Sequence, residues 1–425
     1  MNAEVTPPRT VGVFGTSLFQ INGMIGAGIF ALPATLVAAV GSFAPMMIVF
    51  GFALILPLGM VFAWLAARYD NTGGPVLYAE EAFGSFAGFQ AGWGRYASGM
   101  VAGGANTHVM VAYFAALFPV LEGPIIASAT VFIALVIMTL INVVGMKQSV
   151  NALGLLTALK LAPLALLVLA AAFGSYSAPA IILPQFSEAE TVILLTFYAF
   201  IGFEGVVVPA GEMRDPKRDL PRVIIATLAG VTAIYVAVIW AYIAIATQPT
   251  GDTNALAGAA RIAIGETGAV MIILAAGFSI MANNFSGLVV IPRMAYGMAE
   301  QGMLPKWFER IHPRFQTPAN SILFYGGAAA LFSLTGGFAA LAAASTLTRI
   351  LTYLLSAAAL PVLEARDGRI NPLRAFVALL ALASSIWIAS HADGQAWMTF
   401  GALIAVGTLL YFIAARAARR TAEAA

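Results

Sequence analysis

Two glycine-rich segments interrupt long hydrophobic runs, one in each half of the chain. The first is Gly23-Met24-Ile25-Gly26-Ala27-Gly28, inside the apolar run 11–40. The second is Gly202-Phe203-Glu204-Gly205, inside the run 191–211. Glycine costs a helix about 1 kcal/mol per residue, and an ionisable group at mid-bilayer costs about 2.5 kcal/mol or more. Interrupted helices at matching positions in two halves indicate the binding site of a secondary transporter.

The ends of a broken helix have complementary chemistry. Free N–H groups at the start of one half-helix attract a carboxylate, and free C=O groups at the end of the other attract an ammonium. The two breaks together would therefore bind a zwitterion, although glycines can also serve close helix packing. The predicted substrate-binding residues are Ile25, Gly26, Ala27, Gly28, Asn106, Phe200, Ile201, Gly202, Phe203, Glu204 and Asn283.

Two ionisable residues lie deep in hydrophobic runs. Lys160 is roughly ten residues into the run 150–173, about 15 Å along a helix, so it needs a partner or water. It exchanges a proton during a transport cycle, is a fixed structural cation, or faces lipid without a role. Glu204 either recognises a cation, carries a proton, or accepts hydrogen bonds from the free amides of the second half-helix.

Further polar residues fall inside the predicted spans. Arg95 and Arg349 could face water, anchor a carboxylate or pair with Glu204. The polar residues Asn106, Ser279, Asn283 and Asn284 either line a cavity or connect helices by hydrogen bonds.

The composition is that of a membrane protein. Of the 425 residues, 61% are hydrophobic and 9% are charged, whereas soluble domains have about 25% charged residues. There is no cysteine, which excludes disulfides and thiolate metal sites. The three histidines are far apart in sequence, so no metal or other cofactor is expected.

Hydropathy predicts an all-α polytopic membrane protein with twelve spans. The third and eighth spans are long enough to tilt strongly. A short helix is expected in the outer loop around 248–266. The predicted spans are 11–40, 44–67, 86–118, 124–144, 150–173, 190–212, 221–247, 267–297, 319–335, 340–363, 373–391 and 396–415.

Basic residues predict the orientation. With both termini in the cytoplasm, 17 of the 21 Lys and Arg residues lie in inner loops or at inner helix ends. Arg261 alone falls in an outer loop, and the other three lie within spans. This asymmetry follows the positive-inside rule and supports an even number of spans.

Four motifs resemble the amino acid–polyamine–organocation superfamily. They are Gly26-Ala27-Gly28-Ile29-Phe30; Phe200-Ile201-Gly202-Phe203-Glu204 with the charged segment 212–222; Pro292-Arg293 with Gly302-Met303-Leu304-Pro305; and Gly73-Gly74 with Tyr78 and Phe83-Gly84. The resemblance implies a leucine-transporter-like fold with alternating access. It implies a single transmembrane domain with inverted repeats at about 11–173 and 190–363, and two additional helices at about 373–415.

The resemblance also implies roles for particular residues. The Lys160 ammonium would stand where relatives bind sodium and would contact the backbone of the first span, so no sodium site is expected there. The charged cluster Glu212, Arg214, Asp215, Lys217, Arg218, Asp219 and Arg222 would be either an inner gate or a solvated loop.

The sequence therefore predicts a secondary active transporter of amino acids in the bacterial cytoplasmic membrane. Proton-coupled symport is the leading hypothesis, and the abundance of small and apolar residues favours a neutral amino acid as the substrate. The alternatives are an exchanger, an exporter, or a carrier of polyamines or other organic cations. No nucleic-acid partner is expected. A membrane enzyme or a channel is disfavoured, because the spans contain no catalytic dyad, charge ring or filter loop.

Overall fold

The regular elements of this computed structural model are helices. It describes residues 12–69, 74–144, 150–207, 213, 215–246 and 254–423. The α-helices are α1 (Val13–Met24), α2 (Gly28–Val40), α3 (Ala44–Ala66), α4 (Pro75–Phe83), α5 (Ser85–Ala115), α6 (Pro124–Val144), α7 (Val150–Phe173), α8 (Phe186–Glu190), α9 (Ile193–Tyr198), α10 (Pro216–Ile245), α11 (Ala255–Ile264), α12 (Glu266–Glu300), α13 (Ala319–Phe332), α14 (Phe338–Arg366), α15 (Pro372–Ser390) and α16 (Gly394–Glu423).

Both predicted breaks are present. α1 ends at Met24 and α2 begins at Gly28, with Ile25 in a non-helical conformation (φ −84°, ψ 89°). In the second half, α9 ends at Tyr198 and a short 3-10 helix, Phe203–Val207, follows after a turn. The glycine content of each segment explains why the helix stops there.

Each of the twelve predicted ranges contains helix. Eight segments are long and apolar enough to cross a membrane in the described part of the chain, and one of them, Gly28–Ala66, contains both α2 and α3. As predicted, the third and eighth ranges hold long helices of 31 and 35 residues, and the loop around 248–266 contains a short helix, α11.

The start of the seventh predicted range differs from the prediction. α10 begins at Pro216 and not at residue 221. The Asp215 carboxylate accepts a hydrogen bond from the Arg218 amide, and proline is favourable in the first turn of a helix. The charged residues Lys217, Arg218, Asp219 and Arg222 thus lie in the first turns of a helix.

The broken segments lie in the middle of the bundle. α1 packs against α10, α7 and the 3-10 helix Phe203–Val207, while α5 packs along α14 and α12. Phe203 is fully buried against Phe62 and Tyr353, with ring centroids 5.2 and 5.5 Å away. These contacts hold the two breaks between the surrounding long helices.

Candidate functional site

The two breaks touch each other through their backbones. Gly202 has φ +107°, and a Cβ atom built on it would lie 2.4 Å from the carbonyl oxygen of Gly23. Residues with a side chain rarely adopt this backbone conformation, and no Cβ atom fits at that distance. The position therefore requires glycine. The contact joins the polar backbone of the first half to that of the second.

The start of α2 presents unpaired amides. The N–H groups of Ala27, Gly28 and Ile29 have no hydrogen-bond partner among the described residues, although all three residues are buried. The Gly26 amide donates to the Met24 carbonyl at 3.1 Å and the Ile25 amide to the Ile21 carbonyl at 2.8 Å. The unpaired donors therefore begin at Ala27 and include Ile29, which is not among the predicted binding residues.

Some of the carbonyl groups near the second break already accept hydrogen bonds from the backbone. The Phe200 carbonyl accepts from the Phe203 amide at 3.4 Å, and the Gly202 carbonyl accepts from the Gly205 amide at 3.0 Å. The Ile201 carbonyl has no partner among the described residues. An unpaired acceptor thus lies in the second break and unpaired donors lie in the first.

Lys160 contacts the first break. It is 1% exposed, and its Nζ donates to the Ile25 carbonyl at 2.8 Å. The Ser279 hydroxyl lies 3.4 Å from the same oxygen. This is the contact with the first span that the family resemblance implies. The ammonium satisfies a carbonyl that the break removes from the helical ladder.

Three asparagines link α5 and α12 beside the break. Asn106 Nδ2 donates to Asn283 Oδ1 at 3.1 Å and lies 3.4 Å from Asn284 Oδ1. Asn283 in turn donates to the carbonyls of Asn22 at 2.9 Å and Gly23 at 3.2 Å. These asparagines therefore connect helices and hold the end of α1.

A cavity of about 790 Å³ begins at the breaks. Asn106, Asn283 and Asn284 line it, and it extends along α12 to Gln301, which is exposed. The predicted residues that line the cavity are Gly26, Ala27, Gly28, Asn106, Ile201, Gly202 and Asn283. At the other end, the buried Tyr113 hydroxyl donates to the Phe30 carbonyl at 2.9 Å. The cavity thus opens toward the C-terminal end of α12.

Four predicted residues lie behind the cavity surface. Ile25 points its carbonyl at Lys160, and the Phe200 and Phe203 side chains are fully buried. Glu204 is 0% exposed and is enclosed by side chains. Direct substrate contact by these four residues stays a prediction.

Glu204 is the centre of a buried polar cluster. Its Oε1 accepts from Arg95 Nε at 3.4 Å and from Arg349 Nη1. Its Oε2 accepts from the Tyr353 hydroxyl at 2.9 Å and from the Gly202 amide at 3.2 Å. Both arginines pair with Glu204, which was one of the alternatives open from the sequence.

Sequence reasoning missed several lining residues. Tyr198 lines the cavity and its hydroxyl donates to Asn106 Oδ1 at 2.7 Å. Tyr325 and Gly205 also line it. An aromatic residue one turn before a helix break was the available signal for Tyr198, whereas nothing local distinguished Tyr325.

The predicted inner gate is only partly described. Glu212 and Arg214 lie outside the described residues, as do Gly73 of the Gly73-Gly74 motif and residues 247–253 before α11. Asp215 serves as the N-terminal cap of α10. The gate stays a prediction.

Residues 11–417 match the amino acid permease family. The chain belongs to this family. It is therefore a membrane transporter and not an enzyme, and the family implies a leucine-transporter-like fold.

Several relatives align with this permease over almost their full length. An uncharacterized transporter of Mycobacterium tuberculosis is 28% identical over 92% of this chain and 90% of its own. The serine/threonine exchanger SteT of Bacillus subtilis is 27% identical over 94% of both chains. An arginine/agmatine antiporter of Chlamydia felis is 25% identical over 96% of this chain and 90% of its own.

Proposed function

We propose that this permease is a secondary active transporter that carries an amino acid across the bacterial cytoplasmic membrane by alternating access. The observation that supports this most is the meeting of the two breaks at one cavity. Unpaired amides of Ala27, Gly28 and Ile29 would bind the α-carboxylate, and the unpaired Ile201 carbonyl would accept from the α-ammonium. The sequence on its own favours a neutral amino acid.

The proposal includes the full architecture expected from the sequence. The chain crosses the membrane twelve times with both termini in the cytoplasm. Residues 11–173 and 190–363 form inverted repeats, and residues 373–415 form two additional helices. In that orientation the end of α12 at Gln301 is cytoplasmic, so the cavity belongs to an inward-facing state.

Lys160 is the proposed coupling residue. Its ammonium binds the Ile25 carbonyl inside the break, so gain or loss of a proton would alter the backbone that holds the substrate. Inward proton flow would then drive uptake. The alternative is obligatory exchange with Lys160 as a fixed cation, and two relatives whose names say exchanger and antiporter favour it.

Counterflow in proteoliposomes tests the transport function. Vesicles loaded with unlabelled amino acid should accumulate labelled amino acid from outside. The reason is that an alternating-access carrier returns to its outward-facing state faster when it has bound internal amino acid. Empty vesicles with the same protein and loaded vesicles without protein are the controls. Label entry that is unaffected by internal amino acid would contradict a carrier mechanism and favour a channel.

A pH gradient distinguishes the two coupling modes. Under symport, an inward gradient should raise uptake into empty vesicles, Lys160→Ala should abolish that response, and Lys160→Arg should slow net uptake. Wild-type uptake that ignores the gradient but rises with internal amino acid would contradict symport. The permease would then be an exchanger.

A further inference from the structure

The cavity wall carries an excess of positive charge. Its charged residues, among those described, are Arg95, Arg293, Arg349 and Glu300. Arg293 and Glu300 lie toward the exposed end of α12. Deeper in the cavity, Arg95 and Arg349 are 5% and 4% exposed and share a single carboxylate, Glu204. Two buried cations with one buried anion leave a net charge of one.

Glu204 has no capacity left to compensate for that charge. Each of its oxygens already accepts two hydrogen bonds, one pair from the arginines and the other from Tyr353 and Gly202. Arg95 Nη1 and Arg349 Nε are buried and have no hydrogen-bond partner in the part of the chain that the structure describes. A buried cation with unused donors is unfavourable until an anion binds it.

We infer that Arg95 and Arg349 form a binding site for a second carboxylate, so that the substrate is an amino acid with an acidic side chain. This inference rests on the proposed function, because the α-carboxylate and α-ammonium would still be held at the two breaks. It replaces the neutral substrate that the sequence favours. It also disfavours polyamines and cationic amino acids, which the arginines would repel.

The arginines lie close enough to the breaks for one ligand to use both sites. Glu204 links them to Gly202 through its 3.2 Å contact with the Gly202 amide, and Gly202 packs directly on Gly23. Asn283 binds the Gly23 carbonyl, and its side chain lies against the Cα of Gly26. The planar guanidinium groups match the geometry of a carboxylate and bind it more strongly than a neutral amide.

Glutamate and glutamine provide a matched pair of probes. They have nearly the same shape and differ in the charge of the side chain. Binding to the purified full chain, measured by calorimetry at neutral pH in chloride-free buffer, should be about tenfold tighter or more for glutamate, as expected for a hydrogen bond to a charged group. Equal affinities, or tighter binding of glutamine, would overturn the inference.

Two variants test the arginines separately. Arg349→Gln leaves Arg95 paired with Glu204, and Arg95→Gln leaves Arg349 paired with it, so each variant keeps a neutral buried pair. Either change should reduce the preference for glutamate over glutamine to about twofold or less. The control is Arg374→Gln, which also removes an arginine from a buried glutamate, Glu364, but outside the cavity. It should keep the wild-type preference. If one arginine variant does not fold, the other decides the question.

The outcomes separate this inference from the proposed function. If no amino acid binds, the proposed function fails. If neutral amino acids bind and glutamate does not, only the acidic substrate fails. If chloride strengthens the binding of neutral amino acids and Arg349→Gln abolishes that effect, the arginines hold an inorganic anion and the assignment to substrate is overturned.

Discussion

Gly202 is the residue at which the two halves of the permease meet. Gly202→Ala should abolish transport and lower the melting temperature, because positive φ strains an alanine by roughly 1–3 kcal/mol and its Cβ would overlap the Gly23 carbonyl oxygen. Fluorescence-detected thermal unfolding and counterflow measure the two effects. Gly230→Ala is the control, since nothing lies within 4 Å of a Cβ there and α10 should be stabilised slightly. Normal transport by Gly202→Ala would contradict the required contact.

Lys160 leads to a prediction about ions. Uptake should be unchanged when external sodium is replaced by choline at fixed pH, because the ammonium already binds the Ile25 carbonyl at 2.8 Å. In carriers with broken helices, carbonyls of this kind are sodium ligands. The measurement is the initial rate of labelled amino acid uptake into proteoliposomes. A loss of uptake in choline would show that sodium binds elsewhere in the chain.

Single residues were predictable where the signal was local. Lys160, Gly202 and Glu204 stand out because each is costly in a hydrophobic helix, and the structure gives each a contact that accounts for it. Which partner each residue takes was not predictable. Arg95 and Arg349 are 109 and 145 positions from Glu204, and only the packing of three helices brings them together.

At the scale of elements, α2 is the helix whose N-terminus should bind the carboxylate. Gly26→Leu should abolish substrate binding while the protein still inserts. The reason is that a Cβ at this position would lie 2.9 Å from the Asn283 side chain and displace it from the cavity wall beside the α2 amides. Ala38→Leu, at an exposed position on the same helix, is the matched control and should bind normally.

A chemical probe tests the same helix without mutation. The methyl ester of a bound amino acid should bind about tenfold more weakly than the free acid or worse, because it lacks the charge that the α2 amides stabilise. Isothermal titration gives both affinities. If ester and acid bind equally well, the amides of Ala27, Gly28 and Ile29 do not hold the carboxylate.

The elements themselves were largely evident from hydropathy and glycine content. The two breaks, the long α5 and α12 and the short α11 all follow from the order of apolar and polar residues. The start of α10 was placed too late, because the charged segment was interpreted as a loop and not as a helix capped by Asp215. Which amides at the start of α2 are unpaired was not predictable, because the turn that pairs the Gly26 amide depends on backbone geometry that the sequence does not specify.

At the scale of the whole molecule, the cavity predicts which side of the membrane reaches the site. The chain has no cysteine, so a single introduced thiol reports its own accessibility. Ser286 lies on α12 and lines the cavity. The cysteine of Ser286→Cys should react with an impermeant thiol reagent in inside-out vesicles but not in right-side-out vesicles. Bound amino acid should slow the reaction.

A cysteine on the other side of the membrane, in the proposed orientation, provides the control. Ile262→Cys, exposed on α11, should react only in right-side-out vesicles. Labelling of both cysteines from the same side would contradict either the proposed orientation or the inward-facing state. The Tyr113 contact with Phe30 was not predictable from sequence, because it joins helices that are distant in the chain.

Recognition by peptide groups has a consequence for how this transporter can change over generations. The amides of Ala27, Gly28 and Ile29 and the Ile201 carbonyl belong to the main chain, which every substitution other than proline retains. If the main chain holds the substrate as proposed, point mutations at Arg95, Arg349 or Tyr198 would change which amino acid is carried and leave the binding of its zwitterionic part unaltered. Related transporters with this kind of site could then acquire different substrates through single substitutions.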